Sequence, residues 1–341
     1  MATVQFDVGH PAHVHLFKYV AQALIARGDT VIWSVIEREM ILDLLDSLGM
    51  PYEVIYRRHP SKVNLWQEVP MRTINTLKVA RKYKSDLLIS MANPTVGLPA
   101  LLLGKPYIAM TDTEPAYNQL ATARPFAKRI LTPASFFKDL GDKQHRYNGT
   151  HELAYLHPDL YTPDASIYDA LGIPAGSPYS VVRFVAWNAT HDAFERGLSQ
   201  ADKRQVIQTL SQYGAVVLST EDASSIDIDG VITTYPLDRM HDILAFASIY
   251  VGEGNTMAAE AATLGTPAIR ANTMDNGYCR YLQSLGLMVQ STDGNDILSN
   301  MNRLLYDTQA QQHIIQAHEQ FLSETVPVRD VILQHIDDLL T

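Results

Sequence analysis

YVGEGNTMAAEAATLGTPAI, residues 250–269, sets a strand, a glycine turn and an alanine-rich helix in one short run. Ile249–Val251 reads as the strand and Thr256–Leu264 as the helix, with Gly252-Glu253-Gly254-Asn255 between them. Glycine lets a backbone turn tightly and lets a ligand approach it closely. The helix start then offers unbonded N–H groups and the positive end of a dipole, which suits a phosphate. Glu260 follows Thr256 by four residues and so shares its helix face. A carboxylate there is placed to accept hydrogen bonds from ribose hydroxyls while phosphates occupy the turn. The spacing is neither a Walker loop nor a complete GxGxxG fingerprint, which argues against an NTPase and a nicotinamide enzyme. A plain strand-to-helix turn with a solvated glutamate satisfies the same spacing.

Outward from this stretch, short apolar runs alternate with helical patterns along most of the chain. In the first half the strands are Val4–Val8, Thr30–Val35, Tyr52–Ile55, Leu87–Ser90, Tyr107–Met110 and Arg129–Leu131, with helices at His15–Ala26 and Met40–Leu48. In the second half, Val181–Val185, Ala215–Ser219, Val231–Thr233, Ile249–Val251 and Ala268–Ile269 are strands, and Gln200–Tyr213 and Met240–Ala247 are helices. Glycine closes helices, and Pro, Asn or Asp follow strands. Such alternation predicts parallel sheets covered by helices on both faces. The Pro/Gly-rich stretch LHPDLYTPD…GIPAGSP interrupts it. The expected organisation is therefore a first domain over 1–155, a linker over 156–177, a second domain over 178–322 and a helical tail over 323–341. The tail, broken at Pro327, is expected to pack back on the first domain. The fold class that follows is α/β, with two Rossmann-like, doubly wound domains facing a cleft and ligands at the carboxyl ends of the strands.

Composition narrows the function. At 341 residues the chain is long enough for two cores. Its 27 Lys and Arg against 37 Asp and Glu leave a formal charge of −10, which argues against broad binding to a nucleic-acid backbone. A local basic pocket for one anionic ligand stays compatible with that balance. A single cysteine, Cys279, excludes an intrachain disulfide and a cysteine-rich zinc site. The N-terminus lacks the pattern of a signal peptide, and no apolar run reaches membrane-spanning length, so a cytoplasmic location is expected. Peripheral contact with a membrane through a local patch is left open, and the oligomeric state is not legible.

Histidines and carboxylates crowd the strand ends of the first half. DVGHPAHVHLF, residues 7–17, places His10, His13 and His15 just after the first strand. Their spacing is not HExxH, and no carboxylate or cysteine cluster completes a metal site, so no metal is expected. Imidazole titrates near neutral pH, which suits general-base work at a strand's carboxyl end. Asp7 either orients a histidine or satisfies loop N–H groups. Asp112 and Glu114 follow the strand Tyr107–Met110, where a carboxylate can bind hydroxyls or act as the base, and Asn118 and Gln119 are candidates for the same pocket.

The string GNTMAAEAATLGTPAIR, 254–270, resembles the donor-nucleotide motif of GT-B glycosyltransferases. Together with DVGHPAHVHLF, TDTEPAYNQL, RILTP, YNGTHELAYL and VVRFVAWNATHD, in this order, it is identified with domain-of-unknown-function family 354. That family groups with the lipid II-forming N-acetylglucosaminyltransferase and UDP-N-acetylglucosamine 2-epimerase folds. The resemblance implies that Gly254, Asn255 and Thr256 hold a diphosphate, that Glu260 holds the ribose, and that Arg183 neutralises the leaving group. Asn188 and His191 would assist Arg183, and Tyr235 would lie where the nucleobase is held. His241 either meets the donor or caps its helix. Ala12-His13-Val14 is similar to the transferase's Gly-His-Val turn, which favours His13 as the base, with His10 and Glu114 as rivals. The implied activity is metal-independent, inverting sugar transfer from a nucleotide sugar, a UDP-sugar by preference, to a glycan or glycolipid. No cofactor is implied. A nucleotide-sugar 2-epimerase, or a non-catalytic sugar-nucleotide-binding protein, is the alternative.

Overall fold

A computed structural model of the chain describes residues 1–37, 39–57, 65–185, 197–220 and 230–341. The chain divides into two compact units. One comprises residues 1–160, 276–278 and 325–341, the other residues 161–275 and 279–324.

The first unit is built on seven parallel strands: β1 (Thr3–Val8), β2 (Thr30–Glu37), β3 (Tyr52–Arg57), β4 (Leu87–Ser90), β5 (Tyr107–Met110), β6 (Arg129–Pro133) and β7 (Gln144–Tyr147). They run in the order β3-β2-β1-β4-β5-β6-β7. β4 and β5 are buried at every position, as strands sandwiched between helices must be. Leu88, Tyr107, Ala109 and Ile130 of the sheet pack with Val96, Ala100, Leu120 and Phe136 into one apolar cluster. The order reverses between β1 and β4, the position at which an open α/β sheet leaves a crevice for ligands. β7 escaped the sequence reading for a physical reason. Its QHRY lies at the sheet edge with only Tyr147 buried, so it carries no apolar run.

The second unit holds six parallel strands: β8 (Tyr179–Phe184), β9 (Ala215–Thr220), β10 (Val231–Ile232), β11 (Ile249–Gly252), β12 (Ala268–Arg270) and β13 (Met288–Gln290). Their order is β10-β9-β8-β11-β12-β13, with the reversal between β8 and β11. Residues 161–177 pack within this unit, with Ile167 and Leu171 buried. Asp242 accepts hydrogen bonds from Tyr161 Oη and the Asp164 N–H, which anchors the segment's start. The last helix, Val328–Leu340, belongs to the first unit and buries Val328, Ile332 and Ile336 there.

Local chemistry explains several helix ends. Asn93 caps the helix Pro94–Leu103 by accepting the Thr95 N–H, and Gly104 at φ 62° closes it. Ser199 does the same for Gln200–Tyr213 through the Asp202 N–H. The first helix departs from the expectation of His15–Ala26, because it begins at Pro11. Proline is preorganised for the first helical position, and His10 Nδ1 accepts the Ala12 N–H at 3.2 Å as the cap. His13 accordingly lies in a first helical turn and not in a loop. Among the described residues no helix is long and apolar enough to cross a membrane.

Candidate functional site

The second unit assembles its candidate residues around the reversal between β8 and β11. Gly252 pairs in register with Arg183, and the Glu253 N–H donates to the Arg183 carbonyl at 2.9 Å. A Cβ on Gly252 would collide with Tyr250 Oη and would lie 2.8 Å from the Arg183 carbonyl, so only glycine fits. Gly254 is the N-cap of the helix Asn255–Thr263, and among the described residues no side chain caps that helix. Its first-turn N–H groups are therefore open toward an anion at the carboxyl edge of β11. Asn255 is turned aside, its Oδ1 taken by Arg270 Nη1 at 2.5 Å. Thr256 is the second residue of the helix and partly exposed.

Glu260 lies one turn in and is buried, with Oε1 3.2 Å from His241 Nε2. His241 stands in the helix Met240–Ala245. Its ring holds the Glu260 carboxylate, and among the described residues its own helix has no side-chain cap. Arg183 Nη1 donates to Ser219 Oγ at 2.5 Å, which fixes the guanidinium between β8 and β9. Tyr235 stands partly buried in the coil after β10. Asn188 and His191 lie outside the described residues.

Glu253, between the two glycines, faces the opposite way. It is fully buried, and its oxygens accept the N–H groups of Val185 and Leu198 at 2.9 Å each, with Lys203 Nζ at 3.0 Å. This acid secures the ends of β8 and of the segment leading to the next helix, so it is a brace for the turn.

In the first unit, His10 and His13 stand together, with ring centroids 5.9 Å apart. The Gly9 N–H donates to His13 Nδ1 at 3.4 Å, so in the neutral ring the proton is on Nε2. His15 packs its ring against Tyr155 at 5.5 Å. Asp7 adopts neither expected role. It is buried at the β1/β4 reversal, where it accepts from Ser34 Oγ at 2.9 Å and Asn93 Nδ2 at 2.5 Å, and burial raises its pKa. Its contacts tie β1 to β2 and to the helix start that follows β4.

Glu114 is buried, and both carboxylate oxygens accept backbone N–H groups, of Phe137 at 3.1 Å and Gly277 at 3.0 Å. Burial raises its pKa against those bonds. The carboxylate offered by sequence as a base is thus engaged in holding two segments of the unit. Asp112 pairs with His151, Nδ1 to Oδ2 at 2.9 Å, and not with the histidines after β1. Burial pushes the Asp112 pKa up, but the His151 charge and hydrogen bond outweigh it and hold it low. Burial pulls His151 down, and Asp112 outweighs that and raises it. Beside them Glu152 has its pKa pushed up to about 7 by burial and the Asp112 charge. Asn118 lies outside the side chains described, and Gln119 is exposed.

The family model for DUF354, proteins of unknown function, matches residues 2–328. The chain belongs to that family. No functionally curated protein matches it in sequence. Among solved structures, this DUF354 chain is similar to the glycosyltransferase VinC in complex with dTDP, at 14% identity and TM-score 0.66 over 98% of this chain and 99% of that one. An S. aureus MnaA–UDP structure matches at 13% identity and TM-score 0.74, covering 100% and 97%. A protein described as a UDP-N-acetylglucosamine 2-epimerase from Listeria monocytogenes matches at 13% and TM-score 0.69, covering 93% and 92%. These likenesses establish a GT-B-type fold of two Rossmann-like domains.

Three residues escaped the sequence reading: His151 in the first unit, and Glu253 and Arg270 in the second. His151, in the short turn His151–Ala154 after β7, is joined to Asp112 after β5, two strands away in the sheet, which no local spacing reveals. Glu253 and Arg270 stood inside the quoted motif. The signal available was a charged residue in a strand-end segment otherwise made of glycine and apolar residues.

Proposed function

We propose that this chain is a metal-independent, inverting glycosyltransferase that draws on a nucleotide sugar, by preference a UDP-sugar. The observation that carries the reading is the uncapped helix start at Gly254–Thr256, one turn before a Glu260 held by His241. The bound nucleotides of similarly folded proteins support it. The first-turn N–H groups and Thr256 hold the diphosphate, Arg183 balances its charge, and Glu260 accepts the ribose hydroxyls. Tyr235 stands on the nucleobase side. Dipole and guanidinium together stabilise the departing diphosphate as the glycosidic bond breaks.

On the acceptor side, His13 takes the proton of a glycan or glycolipid hydroxyl while that oxygen forms the new bond to the anomeric carbon. Its 3.4 Å bond from Gly9 is at the long end, so moving the ring proton to Nδ1 sacrifices little. His10 supports the turn as cap. Asp112 and Glu114 brace the surrounding chain in this reading. No cofactor takes part. The protein works in the cytoplasm and meets a lipid-borne acceptor at the inner membrane face.

A nucleotide-sugar 2-epimerase is the second reading, supported by the equally good fit of the fold to a protein described as that enzyme. Incubation with UDP-sugars and dTDP-sugars, followed by NMR, separates the two. Acceptor-dependent release of nucleoside diphosphate supports transfer. A new sugar isomer without acceptor replaces it with epimerisation. Binding of nucleotide sugars with neither outcome would sink both enzyme readings.

A further inference from the structure

Arg270 ends β12 and is completely buried. The interior of the second unit thus carries the positive charge of its guanidinium. Its hydrogen-bond partners among the described residues are all neutral. Nη1 donates to Asn255 Oδ1 at 2.5 Å, and Nη2 donates to the Met274 carbonyl at 2.7 Å and to Gln290 Oε1 at 2.6 Å. Nε has no acceptor among the described residues. Buried arginines are ordinarily paired with a carboxylate, because an uncompensated charge in a low-dielectric interior is strongly unfavourable. The acids of the neighbouring motif are directed elsewhere, Glu253 to Lys203 and Glu260 to His241.

The neutral surroundings acquire meaning from where Asn255 sits. Asn255 is the first residue of its helix, directly after the N-cap Gly254, and carries a side-chain acceptor oxygen. Here that oxygen is held by Arg270, and the helix Asn255–Thr263 starts without a side-chain cap. The buried cation and the open dipole end are therefore joined through one residue. Both favour the same occupant, an anion carrying more than one negative charge.

We propose that Arg270 is the positioning residue of the diphosphate subsite. It fixes Asn255 at the first position of the helix and supplies from behind the turn a charge that the bound diphosphate completes. The identity of the ligand as a nucleoside diphosphate rests on the reading under Proposed function. The charge argument needs only a polyanion at the turn.

Calorimetric titration of pyrophosphate and of UDP into wild type, Arg270→Met and Asn255→Ala, with thermal melts of each ligand-free protein, tests this. Arg270→Met should weaken both ligands by about tenfold or more, equivalent to one charge-assisted contact. It should at the same time melt at or above the wild-type temperature, since an uncompensated buried charge is gone. A merely structural arginine would give the reverse, a lower melting temperature with affinity unchanged in the folded fraction. Asn255→Ala keeps the charge but loses the tether, and should weaken pyrophosphate by a smaller factor. If Arg270→Met does not fold, Asn255→Ala decides, and unchanged pyrophosphate affinity in it overturns the proposal. Wild type that binds pyrophosphate but not UDP removes the nucleotide reading and leaves Arg270 its role. UDP bound equally by all three proteins removes that role and leaves the nucleotide reading. Wild type that binds neither overturns both.

Discussion

Glu152 shows how one buried side chain sets a pH response. Its Oε2 has no partner among the described residues, and burial with the Asp112 charge raises its pKa from 4.5 to about 7. Below the lower value the group is protonated in folded and unfolded chains alike. Between the two values the unfolded chain releases a proton that the folded one keeps, so stability falls as pH rises through that window. Glu152→Gln removes the effect. Its melting temperature should equal the wild type's near pH 4.5 and exceed it increasingly up to about pH 7, then run parallel. Parallel curves from acid to neutral pH would show that Glu152 is already ionised in the fold. At the same scale, His13→Gln should lower turnover by 100-fold or more, the order of a lost general base, while UDP affinity stays within about twofold. Retained turnover would transfer the base role to His10.

At the scale of elements, two turns carry the candidate chemistry, and each has one residue that makes it possible. His10 caps the helix Pro11–Ala26, and His10→Ala should reduce stability by about 1 kcal/mol in denaturant titration. Gly252 has no room for a Cβ against Tyr250 and the Arg183 carbonyl. Gly252→Ala should therefore displace β11 from β8, with a loss of about 1–3 kcal/mol typical of overpacking, and weaken nucleotide binding with it. Strand-end turns were legible in sequence because glycine, proline and capping residues act locally. The start of the first helix was misplaced because histidine is an unusual cap, even though Pro11 marked the position. β7 was missed because a polar edge strand needs no apolar run.

At the scale of the molecule, the first unit is assembled from three separate parts of the chain. The helix Val328–Leu340 contributes Val328, Ile332 and Ile336 to its buried core, and Arg27 pairs with Asp337 at 2.6 Å. A fragment of residues 1–160 lacks these groups and should expose the apolar surface they cover. It should bind a hydrophobic dye and melt without a cooperative transition, whereas coexpression with a peptide of 325–341 should restore part of the transition. Cooperative melting of the fragment alone would show that the last helix is dispensable.

Sequence by itself determined the alternation of strands and helices, the two Rossmann-like series and the glycine turn at 252–255, because periodicity, capping and turn chemistry act within a few residues. Tertiary structure alone decided which charges meet. Asp112 joins His151, Glu114 takes backbone N–H groups from two distant segments, Glu260 is held by His241, and Arg270 is buried among neutral partners. Strand order sets those pairings, and strand order follows from the packing of whole sheets, which no local spacing encodes.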